Sequence, residues 1–218
     1  MTTKSLTELL KPLRFWFKAI IAISILSAFT DALELVYLRQ DLSAESSPLF
    51  LAGLMILTGL GFIIAGSVGA IFFFRWIHRA HYNERLIGSP DVTKASWAVW
   101  HYFIPILNLF RPLQNMRRLW ALNLNEASNL LGMWWTLVWV SGIANRASTR
   151  AYFSASTFSE YIIANGLSIL GYTLGIGVIF CLIKITTQLS EAQDERLAEA
   201  IVIEELAQEE LQSLAAST

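Results

Sequence analysis

The sequence predicts an all-α integral membrane protein: four transmembrane helices plus a proline-broken re-entrant hairpin, followed by an amphipathic acidic C-terminal helix. Three observations lead there. Of 218 residues, 55% are hydrophobic and 15% charged, with a mean hydropathy of +0.50, whereas a soluble domain carries about 25% charged residues. The charges cluster between apolar runs, at least three of which reach the roughly 18 residues of a spanning helix. Finally, Glu191 to Glu210 hold eight carboxylates and one arginine, leaving nine acids against fifteen bases in the preceding 190 residues. A basic body suits a protein that faces anionic lipid on the cytoplasmic side. The single Cys181 permits no intrachain disulfide.

Residues 1–185 form the expected membrane domain. Leu6, Leu9, Leu10 and Leu13 fall at helical spacing, which predicts an amphipathic lead-in lying on the membrane surface. The apolar run that follows is too long for a typical signal peptide and reads as a retained first span, about 15–38. Asp31 and Glu34 lie one turn apart near its far end. After the polar loop LRQDLSAESSP, a second span of about 49–74 contains no charge. Gly61, Ala65 and Gly69 recur along it every four residues, a stripe that lets another helix approach closely. A helical extension carries Arg75, Arg79 and Arg85 and ends at Gly88, Ser89 and Pro90. The third span, about 130–145, is short and rich in tryptophan, which favours the interface. The fourth, about 161–185, contains Gly171 and Gly175 in a GxxxG pattern. From 186 to 218 a cytoplasmic helical tail carries Ile203, Ala207, Leu211 and Leu214 as one apolar stripe.

The hairpin occupies residues 95–122. Pro105 disfavours helix at Ile104, Pro112 suits the first turn of a new helix, and Asn108 between them suits a turn. Charge decides between a dip and a crossing. With the N-terminal cations inside, a full crossing at 95–110 gives five spans and places ten of the sixteen Lys and Arg inside. A segment that dips and returns places thirteen inside and only Arg39, Arg146 and Arg150 outside. The second arrangement obeys the positive-inside rule better; five spans with a kink at Pro105 is the alternative. In the dipping arrangement Arg146 and Arg150 are level with Asp31 and Glu34 at the outer face, where ion pairing is expected; with five spans they lie on opposite faces.

Three stretches, WIHRAHYN from Trp76 to Asn83, WAVWHYFIPILNLFRPLQNMRRLW from Trp97 to Trp120, and the Trp134–Trp135 pair, together resemble a known group. This is the bacterial multi-pass membrane family catalogued as domain of unknown function 4328. Its pattern joins an R-A-x-x-N helix end, an F-x-P-x-x-N-L-x-R-P element and a later W-W. The resemblance covers about residues 50–185 and implies a bacterial cytoplasmic membrane, with no assigned activity. The chain departs from the pattern at Trp100, His101 and Tyr102, where a glycine and paired tryptophans are typical.

Arg79, Asn83, Asn108, Arg111 and Gln114 form the leading candidate site. Guanidinium forks and amide donors beside a broken helix suit a phosphate or an anionic lipid head group. Backbone donors after Pro112 add to this. The plainer reading is that the arginines fix orientation while the amides cap helix ends. His78, His81 and His101 have poor spacing for zinc, so neither metal nor cofactor is expected. No nucleophile elbow, phosphate loop or HExxH pattern is present, and no enzyme is expected. The cations follow membrane edges rather than a groove, so nucleic acid is not an expected partner. The expected function is a non-enzymatic scaffold or regulatory module. Its partners would be anionic lipid at the inner face and a protein, or a second copy, at the tail helix. The alternative is a small transporter or channel using the broken hairpin as its substrate element.

Overall fold

A computed structural model describes residues 5–40, 49–89, 92–124 and 128–216. Among these, all regular structure is helical: α1 (Thr7–Gln40), α2 (Leu49–Leu86), α3 (Ala95–Trp100), α4 (Pro105–Asn108), α5 (Arg111–Leu124), α6 (Asn129–Ser154) and α7 (Phe158–Ala216). Most of the polar loop after Leu38, and Pro90, lie outside the described residues. The chain divides into two compact units: residues 1–11, 72–128 and 185–218 form unit 1, and residues 12–71 and 129–184 form unit 2.

Unit 2 is built inside out relative to a soluble domain. Along α1, Ser24, Ser27, Thr30, Asp31 and Glu34 are buried while Ile25 and Phe29 are 58% and 57% exposed. On α2, Leu49, Phe50, Ile56, Leu57 and Ile63 are exposed as well. Water would penalise this surface; hydrocarbon would not, provided that the polar groups satisfy one another inside. The glycine stripe of α2 packs on α1, since a methyl group added at Gly69 would stand 3.3 Å from Ile20 and one at Gly61 would stand 3.4 Å from Ile23. A capping box starts α7: Glu160 accepts the Thr157 backbone N–H at 3.0 Å, and Thr157 Oγ1 accepts the Glu160 N–H at 3.4 Å.

Three described helices, α1, α2 and α7, are long and apolar enough to cross a membrane, where four spans and a hairpin were expected. The expected third span is helical within α6, but its tryptophans, Asn145 and Arg146 lower its hydropathy. The fourth span and the acidic tail, expected as separate elements, are one uninterrupted helix of 59 residues. At 1.5 Å per residue that is roughly 88 Å, nearly three times a ~30 Å hydrocarbon core. The stripe of Ile203, Leu211 and Leu214 is exposed.

Unit 1 holds the 95–122 segment, broken into α3, α4 and α5, and its chain returns far enough to set Asn115 beside Thr93 and His101. Ile104 is extended with φ −90° and ψ 114°, as its following proline requires, and Pro105 opens α4. Pro112 then sits in the first turn of α5. The return is locked by Asn115, whose Oδ1 accepts the Thr93 hydroxyl at 3.2 Å and whose Nδ2 donates to His101 Nδ1 at 2.9 Å. That bond needs an unprotonated Nδ1. Burial, with Arg111 nearby, holds the His101 imidazole below the usual histidine range and favours that state. Trp97, Trp100, Phe103, Ile106 and Leu109 project outward from the hairpin.

The stop after α2 is a Schellman motif. Ser89 N–H donates to Glu84 O at 3.0 Å and Gly88 N–H to Arg85 O at 3.2 Å, with Gly88 at φ +79°. Three of the four leucines of the N-terminal segment are packed inside rather than on a surface, Leu6 and Leu13 at 0% and Leu10 at 2% exposure, while Leu9 is half-buried. The Asp194 carboxylate, on α7, closes the start of α1. It accepts the Leu6 and Thr7 backbone N–H groups at 2.9 and 3.1 Å and the hydroxyls of Ser5 and Thr7. Asp194→Ala leaves these helix-start donors without their acceptor and is expected to cost about 1–2 kcal/mol, measurable as a lower unfolding midpoint in detergent.

Candidate functional site

The helical register of α2 determines what becomes of the cationic stretch after the second apolar run. Trp76, Ile77, Ala80, Asn83 and Glu84 are buried, while Arg75 and His78 are exposed. The buried side meets α7. Trp76 Nε1 donates to Ser190 Oγ at 2.8 Å, and Gln193 Nε2 donates to Ala80 O at 3.1 Å. Glu84, 0% exposed, is the hub. Its carboxylate accepts Gln193 Nε2 at 2.6 Å, Asn123 Nδ2 at 2.7 Å, Ser89 Oγ at 2.6 Å and Arg196 at 3.3 Å. Asn83 belongs to this core, donating to Gln193 Oε1 at 3.4 Å.

The outward side of α2 lines a cavity of about 680 Å³. Arg75, His78 and Arg79 come from one helical turn, Ser5, Glu8 and Leu9 from the N-terminal segment, and Phe74 with the α3 residues Val99 and Trp100 and the adjoining Phe103 complete an aromatic wall. Phe74 and Phe103 have ring centroids 5.1 Å apart, and the Arg79 guanidinium lies over the Tyr82 ring at 5.4 Å. Of the five candidate residues, Arg79 alone lines this space. Arg111 and Gln114 are exposed on the hairpin, Arg111 over the Phe110 ring at 5.9 Å, and Asn108 is half-buried. Asn108, Arg111 and Gln114 do not line this cavity, and the register of α5 turns Asn115 inward and Gln114 outward. Sequence reasoning missed Arg75 and His78. The signal was their i, i+3, i+4 spacing with Arg79, opposite Trp76, Ala80 and Asn83.

In unit 2 the acids find partners other than those expected. Glu34, 1% exposed, accepts the Tyr152 hydroxyl at 2.7 Å and Asn165 Nδ2 at 3.1 Å. Ser168 faces the Asp31 carboxylate. Arg146 and Arg150 are exposed and line a separate depression with Asn145 and Thr149. The acids and arginines share an end of unit 2, but the α6 register sends Tyr152 and Ser148 inward and the arginines outward. The legible signal was again polar spacing, with Ser24, Ser27, Asp31 and Glu34 on α1 and Ser141, Asn145, Ser148 and Tyr152 on α6 each tracing one helical face.

The histidines have separate surroundings. His81 Nδ1 lies 3.0 Å from Ile77 O, His101 is held by Asn115, and His78 lines the cavity. Among the described residues no three His, Cys, Asp or Glu side chains gather as a metal site.

The sequence pattern of the family described as domain of unknown function DUF4328 matches residues 50–191. Neither the curated proteins nor the solved structures contain a match. The matched stretch takes in α3 to α6, nearly all of α2 and the apolar part of α7, which include the 95–122 segment and the bridging carboxamides of Asn115 and Asn165. This chain belongs to the DUF4328 family of unknown function.

Proposed function

We propose that the protein is a non-enzymatic, multi-pass membrane module that holds an anionic amphiphile, an acidic phospholipid in chemical type, in the cavity of unit 1. One observation carries this reading: Arg75, His78 and Arg79 share that cavity with Phe74, Trp100 and Phe103. A phosphodiester needs cationic donors and an acyl chain needs apolar walls; both line one space. Two guanidinium groups against the Glu8 carboxylate leave one net positive charge, the complement of a single phosphodiester. At about 680 Å³ the cavity falls within the ~300–1,000 Å³ range of ligand pockets and exceeds what a lone phosphate needs. The outward aromatic residues of the hairpin suit the head-group region of a bilayer. On this reading the 95–122 segment dips into the inner leaflet, and α6 crosses with α1, α2 and α7. That fourth crossing is supported by the membership of all four helices in one inside-out unit.

The test uses the full-length protein in nanodiscs of phosphatidylcholine with a minor share of phosphatidylglycerol, with retained lipid read by native mass spectrometry. The wild type is expected to retain phosphatidylglycerol preferentially. Arg75→Ala with Arg79→Ala should reduce the preference by at least about tenfold, as the loss of two charge-assisted contacts requires. An unchanged preference in the double variant would overturn the reading.

A further inference from the structure

Unit 2 contains a cavity of its own, about 360 Å³ in volume, to which all four of its helices contribute. Its lining is unusual for a helical unit whose outer surface is apolar. Asp31 is 8% exposed and is the single charged side chain on the lining, and around it stand Ser27, Thr58, Asn145, Ser148 and Ser168. Polar side chains inside such a unit are costly unless something pairs with them. Two of these hydroxyls have already committed their protons: Thr58 Oγ1 donates to Met55 O at 3.1 Å and Ser148 Oγ to Ala164 O at 3.0 Å. What they offer the cavity is lone pairs. Phe62 and Tyr172 add two aromatic rings with centroids 6.5 Å apart. The space therefore presents one carboxylate, several acceptor oxygens and aromatic faces, with no cationic side chain on the lining.

We infer that this cavity binds a small organic monocation by its ammonium group, with Asp31 as counter-ion and the hydroxyl and carboxamide oxygens as acceptors. The choice of ion class follows from size and charge. A divalent metal would call for several carboxylates or converging carbonyls, and a single carboxylate lines the cavity. A volume of about 360 Å³ is roughly twelve times a water molecule's share of the liquid, too roomy to cage a bare alkali ion. Aromatic faces attract ammonium groups through the ring quadrupole. Gly171 positions one acceptor: a methyl group there would overlap the Asn145 carboxamide, so glycine leaves room for Asn145 at the rim of the space.

The experiment titrates the full-length protein in detergent with methylammonium chloride and tetramethylammonium chloride, with sodium chloride at matched ionic strength as reference, and follows thermal unfolding by tryptophan fluorescence. Saturable stabilisation by the ammonium salts beyond that by sodium chloride is expected. Asp31→Asn, which keeps the shape and the Ser168 contact, should weaken binding at least tenfold, and Gly171→Ala several-fold. No saturable response, an equal response to sodium chloride, or unchanged affinity in Asp31→Asn overturns the inference. Should Asp31→Asn not fold, Asn145→Ala at the exposed rim decides: several-fold weaker binding supports the site and unchanged binding removes it. The lipid reading of unit 1 involves none of these residues, so the two stand or fall separately.

Discussion

Replacing Glu84 by alanine is expected to destabilise unit 1 by about 3–5 kcal/mol, the cost of breaking a buried charged network from one side. The carboxylate receives Gln193, Asn123, Ser89 and Arg196 at 2.6–3.3 Å. Alanine would remove the acceptor of the Ser89 hydroxyl and of one N–H each of Gln193 and Asn123, whose amides keep only Ala80 O and Leu119 O, each loss being on the order of 1–3 kcal/mol. Arg196 contributes less to the total, because its side chain is 31% exposed and water can replace the carboxylate there. Glu84→Gln preserves volume and one acceptor oxygen but turns an NH₂ toward other donors, so a loss of about 2–3 kcal/mol is expected. Thermal unfolding in detergent, followed by tryptophan fluorescence, measures both, and Trp76 reports directly through its bond to Ser190. Against a typical total stability of about 5–15 kcal/mol, the alanine variant should be poorly folded at 37 °C. If both variants unfolded within about 0.5 kcal/mol of the wild type, as ordinary surface changes do, the network would not be what holds α2, α5 and α7 together.

Glu34→Ala is the second large effect expected, a loss of about 2–4 kcal/mol, because the Tyr152 hydroxyl and the Asn165 amide lose their acceptor where water cannot replace it. Tyr152→Phe removes one donor and leaves the carboxylate with Asn165, so about 1 kcal/mol is expected. The arginines provide the contrast. Arg146→Ala and Arg150→Ala, both at exposed side chains, should stay within about 0.5 kcal/mol of the wild type. The charge swap of Asp31→Arg with Arg146→Asp should show no mutual rescue. Unfolding midpoints in nanodiscs read all of these. An Arg146→Ala variant as damaging as Glu34→Ala would restore the ion pair that charge counting suggested and displace the phenol–carboxamide clamp.

Local chemistry made some features readable in advance. Gly88 ends α2 because only a residue at ease with φ +79° closes a Schellman motif without strain. Pro105 and Pro112 break the oily segment because each removes a donor and restricts its predecessor; Pro105 opens α4 and Pro112 lies in the first turn of α5. The uncharged run of 49–74 is helical throughout. Element joins were harder to read. Nothing in the sequence between Lys184 and Gln193 breaks a helix, yet the change from apolar to acidic composition suggested a boundary, and α7 runs through it. The N-terminal leucines kept the right periodicity but were assigned the wrong environment, since spacing identifies a face and not what covers it.

Amino-acid order by itself determined the helical class, the apolar runs, the proline-made helix breaks and the family, since these depend on backbone sterics, hydropathy and motif spacing within a few turns. Tertiary structure alone decided which polar groups meet. Glu84 finds Gln193 across 109 positions and Glu34 finds Asn165 across 131. Whether Arg79 or Asn83 faces the cavity, and whether Gln114 or Asn115 turns inward, is a matter of helix rotation. One residue along an α-helix turns the side chain by about 100°, and only the packing of distant helices fixes that angle.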